Sequence, residues 1–436
     1  MCISSLKGVV TIKCSALNNS VSVSNQKKYF ILSFYALSLI LFGFLFDSIN
    51  NIFHGLYKII IEPDVLITDY IGIGGIGATF TNSGLLMLIA VFILYKLKIH
   101  INGVSIASLF TIAGFAMFGK NILNVWIVVF GVYLYVKYQK DKFSKYIYTA
   151  LFGTCLAPMV SQIMFNINLE LFIRIPLALV AGISIGFLLH PLSVYLLRVH
   201  QGYNLYNIGF VGGIIGTIYV SVFKSFGYFS DSRLIWTTEN NVLLATFLSI
   251  LFVSMIISGY IIDEESFRKL KDIFTYPGRA ITDFVVLEGF APTIVNMGIN
   301  GIIGVMYVLI VGGDFNGPTI GGIFTLVGFG AFGKHAQNIW PILLGVFIGS
   351  VTKLWNINDP AIVLAALFGT TLAPIAGEFG WKYGIVAGFI HSSVVLNVGA
   401  LHGGMNLYNN GFAGGIVAAI LLPVIDIFRK DEKNEV

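Results

Sequence analysis

The sequence HQGYNLYNIGFVGG at residues 200–213 returns as HGGMNLYNNGFAGG at residues 402–415. Both stretches keep the histidine, the Asn-Leu-Tyr-Asn run and the Gly-Phe pair at the same spacing. A motif of this length that occurs twice in one chain indicates an internal duplication. We therefore expect a fold made of two related halves.

Further repeats lie on the amino-terminal side of this motif, at an offset of about 214 residues. ITD at residues 67–69 recurs at 281–283, FTIAGFAMFGK at 110–120 recurs as FTLVGFGAFGK at 324–334, and LFGTCLAP at 151–158 recurs as LFGTTLAP at 367–374. These matches predict an amino-terminal tail over residues 1–28, a first repeat over 29–223, a linker over 224–242, a second repeat over 243–425 and a carboxyl tail over 426–436.

The composition predicts that the bilayer is the solvent for most of this chain. Of its 436 residues, 56% are hydrophobic and 11% are charged, where a soluble protein carries about a quarter charged residues. Five uncharged or nearly uncharged stretches are long enough to cross hydrocarbon. They are Tyr29 to Phe46, Leu171 to Leu189, Leu205 to Phe223, Val242 to Ile262 and Leu407 to Ile425.

Composition also excludes several classes of function. The net charge of +5 is scattered in short runs, so no nucleic-acid partner is expected. The three cysteines form no C-x-x-C motif, and we expect neither a metal site nor another cofactor. No Walker, G-x-S-x-G or H-E-x-x-H motif is present, so the chain is not expected to be an enzyme.

Other apolar segments are short or interrupted, at residues 65–80, 84–95, 104–118, 122–136 and 146–164, with counterparts in the second repeat. Many of the 48 glycines lie in them. Broken helices at matching positions of two repeats are typical of transport sites near the bilayer midplane. We therefore predict an all-α polytopic membrane fold with two inverted repeats and broken or re-entrant half-helices.

The positive charges predict that the repeats are inverted. The loop after the first span holds only Lys58, whereas its counterpart holds Arg268, Lys269, Lys271 and Arg279. The loop with Lys137, Lys140, Lys142 and Lys145 corresponds to one with Lys353 alone. Because Lys and Arg accumulate on the cytoplasmic side, this reversal orients the halves oppositely. Both termini are then expected to be cytoplasmic, in a multi-pass protein of the cell membrane.

Polar residues kept in both repeats are the candidates for binding a solute. Lys120 and Asn124 are four residues apart, as Lys334 and Asn338 are, so a helix would place each pair on one face. The candidate substrate-binding residues are Lys120, Asn124, Lys334, Asn338, Asn82, Asn296, Thr79 and Thr293. The alternative for the lysines is a structural ion pair, each lysine meeting Asp69 or Asp283 across the repeat.

Ionisable groups at membrane depth are candidates for coupling transport to an ion. Asp69 and Asp283 precede the glycine-rich segments, and Glu288 has no counterpart in the first repeat. His200 and His402 are candidate proton relays, with local hydrogen bonding as the alternative. A proton or sodium ion is the expected coupling ion, and the Asn204, Asn207, Asn406 and Asn409 side chains either bind a solute or cap broken helices.

At these motifs the chain resembles a family of uncharacterised multi-pass bacterial membrane proteins that carries a domain-of-unknown-function label. More distantly, the stretch around Asn82 and the repeated Asn-Leu-Tyr-Asn motif resemble urea transporters. That resemblance implies broken helices in inverted repeats and a trimeric passive channel. Lys120, Lys334 and the serine at position 83 depart from the urea-transporter pattern.

The function we expect is transport of a small polar solute, with an anion favoured, through a midplane site between the repeats. Half-helix amino termini and the two lysines would hold the negative group. A urea-type passive channel is the alternative. A phosphotransferase-system membrane component, suggested by Leu287-Glu288-Gly289, and an intramembrane enzyme are further alternatives. The expected partners are the lipid bilayer and the solute, and assembly as a homo-oligomer stays open.

Overall fold

The computed structural model describes residues 22–228 and 233–434, and these residues form helices joined by turns and loops. The helices of the first half are α1 Asn25–Phe46, α2 Ile49–Ile61, α3 Tyr70–Lys96, α4 Gly103–Phe115, α5 Val125–Tyr138, α6 Ile147–Gly153, α7 Ala157–Phe165, α8 Leu171–His200 and α9 Asn207–Ser225. Those of the second half are α10 Asn241–Ile262, α11 Ser266–Ile273, α12 Phe284–Leu287, α13 Phe290–Val311, α14 Gly317–Gly328, α15 Ala336–Thr352, α16 Pro360–Gly369, α17 Ala373–Phe379, α18 Trp381–Val398 and α19 Asn409–Asn434.

The chain is a multi-pass membrane protein of the all-α class. In the described residues, ten helical segments are long and apolar enough to cross a membrane, five in each half. In the first half they are α1, α3, α6 with α7, α8 and α9, and the second half has their equivalents. The shorter apolar helices α4, α5, α14 and α15 complete the two sets. Three of the five spans predicted from sequence lie within such helices, and the other two begin two residues before α9 and α19.

The prediction of two separate apolar segments at residues 65–80 and 84–95 was wrong. No break lies between residues 80 and 84, because α3 runs through this region from Tyr70 to Lys96. The helix tolerates the polar Asn82 and Ser83 because neighbouring backbone accepts their hydrogen bonds, to Ala116 O at 2.7 Å and Ala113 O at 2.7 Å. The break lies instead at Gly75, with φ 83° and ψ 170°. Gly289 repeats it between α12 and α13, with φ 97° and ψ 170°, and only glycine adopts this conformation without strain.

The centre of the protein is the packing of α4 against its equivalent α14. All of α14 and nearly all of α4 are buried. A Cβ at Gly114 would lie 2.8 Å from Gly321 O, and one at Gly328 would lie 3.2 Å from Ala107 O. Early residues of each helix therefore meet late residues of the other, so the equivalent helices run antiparallel. Asn102 and Asn316 cap their amino termini by accepting from Ser105 N and Thr319 N.

The outer boundaries of the predicted repeats differ slightly from the helices. Helix α1 begins at Asn25, four residues before the predicted repeat, and most of the predicted tail over 1–28 lies outside the described residues. The predicted linker over 224–242 overlaps the last two residues of α9 and the first two of α10, and residues 229–232 lie outside the description. Helix α19 continues past the predicted boundary at 425 to Asn434.

Candidate functional site

Lys334 lies in the loop between α14 and α15 and is fully buried. Its ammonium donates to Thr370 Oγ1 at 2.7 Å and to the hydroxyl of Tyr206, which comes from the other half of the chain. The ammonium also lies 4.5 Å from the Tyr206 ring centroid and 5.4 Å from that of Phe329. This charge is therefore held by two hydroxyl oxygens and two aromatic faces.

Lys120 occupies the equivalent place in the first half and is also fully buried. Its ammonium lies 5.0 Å from the Phe115 ring centroid. Within the described part of the chain, the ammonium has no hydrogen-bond partner. The hydroxyl of Tyr408, the counterpart of Tyr206, is likewise buried and unpartnered there. The two equivalent lysines thus have different surroundings.

An aromatic cluster connects the two lysines. The rings of Tyr206 and Tyr408 are 5.2 Å apart at their centroids. Phe115 packs on Tyr408 at 4.6 Å, and its counterpart Phe329 packs on Tyr206 at 4.8 Å. Each of these two contacts joins a phenylalanine of one half to a tyrosine of the other. The Phe329–Tyr206 contact is therefore the symmetry equivalent of the Phe115–Tyr408 contact. The central aromatic cluster, defined as these four residues, therefore lies where the halves meet, with one lysine beside each phenylalanine.

A cavity of about 260 Å³ reaches this cluster. Tyr206, Phe329 and Tyr408 belong to its lining, together with the polar side chains of Tyr148 and Asn207. A space of this size accommodates a small solute with a few waters. No charged side chain lines it among the described residues. Lys334 lies behind Tyr206, whose hydroxyl accepts its hydrogen bond.

Two sequence-based ideas about the lysines were wrong. Neither lysine lies in a helix, because α5 begins at Val125 and α15 at Ala336. A shared helical face therefore does not position Lys120 with Asn124 or Lys334 with Asn338. The predicted ion pairs with Asp69 and Asp283 do not form either: in residues 22–228 and 233–434, neither buried lysine makes an ion pair with a carboxylate.

Asp69 and Asp283 instead cap the central helices of the opposite half. Both oxygens of Asp283 accept from Gly103 N, the first residue of α4, at 2.8 and 2.9 Å. Asp69 Oδ1 accepts from Gly317 N, the first residue of α14, at 2.9 Å. A carboxylate at a helix amino terminus is stabilised by the free N–H groups and the helix dipole. The two aspartates therefore join the halves, away from the lysines.

The asparagines and threonines that recur in both repeats donate hydrogen bonds to backbone oxygens. Asn82 and Asn296 donate to Lys120 O and Lys334 O, both at 2.8 Å. Asn124 and Asn338 donate to Gly119 O and Gly333 O, and Thr79 and Thr293 donate to Gly75 O and Gly289 O. These six side chains fix the loops and breaks around the lysines, and a role in binding a solute stays a prediction.

The remaining candidates also have local partners. His200 and His402 pair with Asn207 Oδ1 and Asn409 Oδ1 at 3.0 and 2.9 Å, which braces the turns before α9 and α19. Asn204 and Asn406 donate across the halves to Gly411 O and Gly209 O. Glu288 lies outside the membrane-spanning helices, where its Oε1 accepts from Tyr276 at 2.6 Å. Burial raises the pKa of the Glu288 carboxyl above its ordinary value.

Sequence reasoning missed the hydroxyl groups around the lysines. Tyr206, Tyr408 and Thr370 all stand in repeated motifs, but the candidates predicted from these motifs were lysine, asparagine and histidine side chains. The sequence signal that could have identified these groups is a tyrosine or threonine at the same position of both repeats. Asp64 was also missed: it is fully buried and accepts from Tyr70 at 2.8 Å, and the second half has a glycine at this position.

Comparison with known proteins gives one match. A family model described as a protein of unknown function (DUF1576) matches residues 48–225 and 262–427. The first range covers α2 to α9 and the second covers α11 to most of α19, so each leaves out the first helix of its half. Neither the curated proteins nor the solved structures contain a match to the chain. The resemblance to urea transporters therefore stays a prediction.

Proposed function

Because the chain belongs to the DUF1576 family, whose description carries no activity, we propose a function from its central site: it transports a small anionic solute across a membrane, between two inverted halves. The solute passes the central aromatic cluster and is held in turn by Lys334 and Lys120. We assign no covalent chemistry to the chain. The proposal places it in the cell membrane with both termini in the cytoplasm.

The inverted arrangement is supported by the contacts between equivalent elements. Each half contains five helical segments able to cross a membrane, and an odd number reverses the direction of the next half. The antiparallel packing of α4 and α14 agrees with a two-fold axis perpendicular to these helices. The exchanged contacts Asp69–Gly317 and Asp283–Gly103 have the reciprocity that such an axis produces. In this arrangement the broken segments meet near the midplane, where transporter sites lie.

The observation that carries the proposal is the pair of fully buried lysines at the contact between the halves. An ammonium group in a protein interior ordinarily has a carboxylate partner, because burying an isolated charge is costly. Hydroxyl groups and aromatic rings are what the described residues place nearby instead. Such surroundings leave an electropositive centre that a negatively charged solute neutralises.

The test is uptake into proteoliposomes of the purified chain, with small anions, neutral amides and amino acids as solutes. The variants are Lys120→Met and Lys334→Met, which keep side-chain length and remove charge. Lys145→Met is the matched control, because Lys145 is exposed in a loop and pairs with Asp141. Loss of a charge-assisted contact of about 1.5–3 kcal/mol predicts at least roughly tenfold slower anion uptake in both buried variants. Uptake that none of the variants changes contradicts the proposal.

A passive channel for a neutral solute is the second candidate, and the lining of the cavity favours it. Tyrosine, asparagine and phenylalanine side chains reach this space, and charged ones do not among the described residues. Such a channel conducts urea or small amides without dependence on pH or sodium. The same assay separates the candidates, because a coupled transporter responds to one of these ions.

Glu288 is the proposed coupling carboxylate. The oligomeric state is measured from the mass of the purified particle.

A further inference from the structure

Three pairs of equivalent polar groups lie at the central site. Among the described residues, one member of each pair is hydrogen-bonded and the other has no partner. Lys334 and Tyr206 bond to each other, and Thr325 Oγ1 donates to Gly321 O at 2.8 Å. Their counterparts are Lys120 Nζ, Tyr408 OH and Thr111 Oγ1. In the described part of the chain these three atoms are buried without hydrogen-bond partners. The same residue types thus recur in both halves, but their hydrogen bonding differs.

The three unpartnered groups surround one aromatic ring. The Lys120 ammonium is 5.0 Å from the Phe115 centroid, and the Tyr408 ring is 4.6 Å from it. Thr111 lies four residues before Phe115 in α4, one turn away on the same helical face. Lys120, Tyr408 and Thr111 are each at most 1% exposed. A buried ammonium without an acceptor is costly, and two hydroxyl groups lie beside the same ring, so the cluster indicates a ligand that accepts from the ammonium and from the hydroxyl groups.

We propose that Lys120, Tyr408 and Thr111 form the anion-binding site, and that it takes a monovalent, weakly hydrated anion such as nitrate. This inference rests on the proposed function and specifies its substrate class. One ammonium supplies one positive charge, so a monovalent ion leaves the site neutral and sulfate does not. Phe118 and Phe368 pack on Phe115 with centroids 5.1 and 5.4 Å apart. Such apolar surroundings disfavour strongly hydrated ions, because their lost hydration is not replaced.

The test is thermal unfolding of the purified full chain during titration with sodium nitrate, with sodium sulfate and sodium gluconate at the same ionic strength as reference salts. Nitrate is expected to stabilise the wild-type chain saturably, whereas the reference salts are not. Tyr408→Phe removes one donor and is expected to raise the half-saturating nitrate concentration about tenfold. Tyr29→Phe is the matched control, because the buried Tyr29 hydroxyl donates to Ile99 O at 2.8 Å outside the central site; it is expected to lower stability while leaving the half-saturating concentration within about twofold.

Equal shifts in Tyr408→Phe and Tyr29→Phe overturn the assignment, as does equal stabilisation by sulfate. Thr111→Val is the second variant if Tyr408→Phe does not fold, with Thr325→Val as its control. Anion uptake by the wild type without saturable nitrate binding overturns this inference and leaves the proposed function standing. Saturable, Tyr408-dependent nitrate binding without uptake of any solute supports the site and overturns the transport proposal.

Discussion

Replacing Asp69 with alanine tests whether the two aspartates join the halves of the protein. Asp69 Oδ1 accepts from Ile71 N at 3.0 Å and from Gly317 N at 2.9 Å, and Oδ2 accepts from Thr237 N at 3.1 Å. Asp69→Ala leaves three N–H groups and the Thr237 hydroxyl without this acceptor. At about 1–3 kcal/mol for each buried donor, and with some rehydration at the half-buried Thr237, the expected loss is about 3–5 kcal/mol of unfolding free energy.

The measurement is unfolding by SDS titration in mixed micelles, followed by circular dichroism or tryptophan fluorescence. Asp283→Ala is the matched variant, because Asp283 accepts from Gly103 N and from Val286 N at 3.1 Å. It frees two donors, so the expected loss is about 2–4 kcal/mol. Asp69→Asn retains one acceptor oxygen and should cost less than Asp69→Ala. A loss below about 1 kcal/mol in both alanine variants would refute the capping role.

The same variants separate capping from ion coupling. If Asp69 is a structural cap, Asp69→Asn lowers stability but keeps the pH dependence of uptake. A variant with wild-type stability and pH-independent uptake would instead restore the role as a coupling group that the sequence suggested. The result therefore decides between two chemical roles of one carboxylate.

Three further predictions concern groups outside the central site. Burial raises the pKa of the Asp64 carboxyl well above its ordinary value, so ionisation of this group opposes folding. The free energy of unfolding should be greatest below the ordinary pKa and fall as the pH rises through the raised pKa. Asp64→Asn should flatten this part of the plot of melting temperature against pH. A Cβ at Gly131 would lie 2.2 Å from Ile183 O, where α5 packs on α8; Gly131→Ala should cost about 1–3 kcal/mol in SDS titration, and an unchanged midpoint would contradict this close packing. Glu288→Gln keeps an acceptor for Tyr276 and removes the ionisable group, so uptake should lose its pH dependence, whereas a profile like that of the wild type would exclude Glu288 from coupling.

The sequence predicted the membrane class and five of the ten candidate spans because these depend on composition over many residues, and it predicted the duplication because long motifs recur. It misplaced the break in α3, because a glycine-rich stretch contains several positions that could adopt positive φ. Gly75 takes it, and the Asn82-Ser83-Gly84 run stays helical because polar groups of a neighbouring loop are within reach. That neighbour is distant in sequence, so local pattern carries no information about it.

The sequence singled out the two lysines, which the structure buries fully, but it did not predict their partners. A spacing of four residues indicates a shared face only inside a helix, and the loops at Lys120 and Lys334 lie before α5 and α15. Tyr206 reaches Lys334 across the two halves of the chain. Such a contact depends on how the halves dock, which a single sequence does not specify. The motifs nevertheless contained every residue of the site.

The capping of each central helix by the opposite half has a consequence for biosynthesis. The acceptor for Gly103 N is translated 180 residues after it, so α4 leaves the ribosome long before its cap exists. The nascent first half must wait in the lipid with an exposed helix end, where a chaperone or the insertion machinery can shield it. A gene divided in the linker should still yield active protein when both pieces are made together, and neither piece should survive quality control when made by itself.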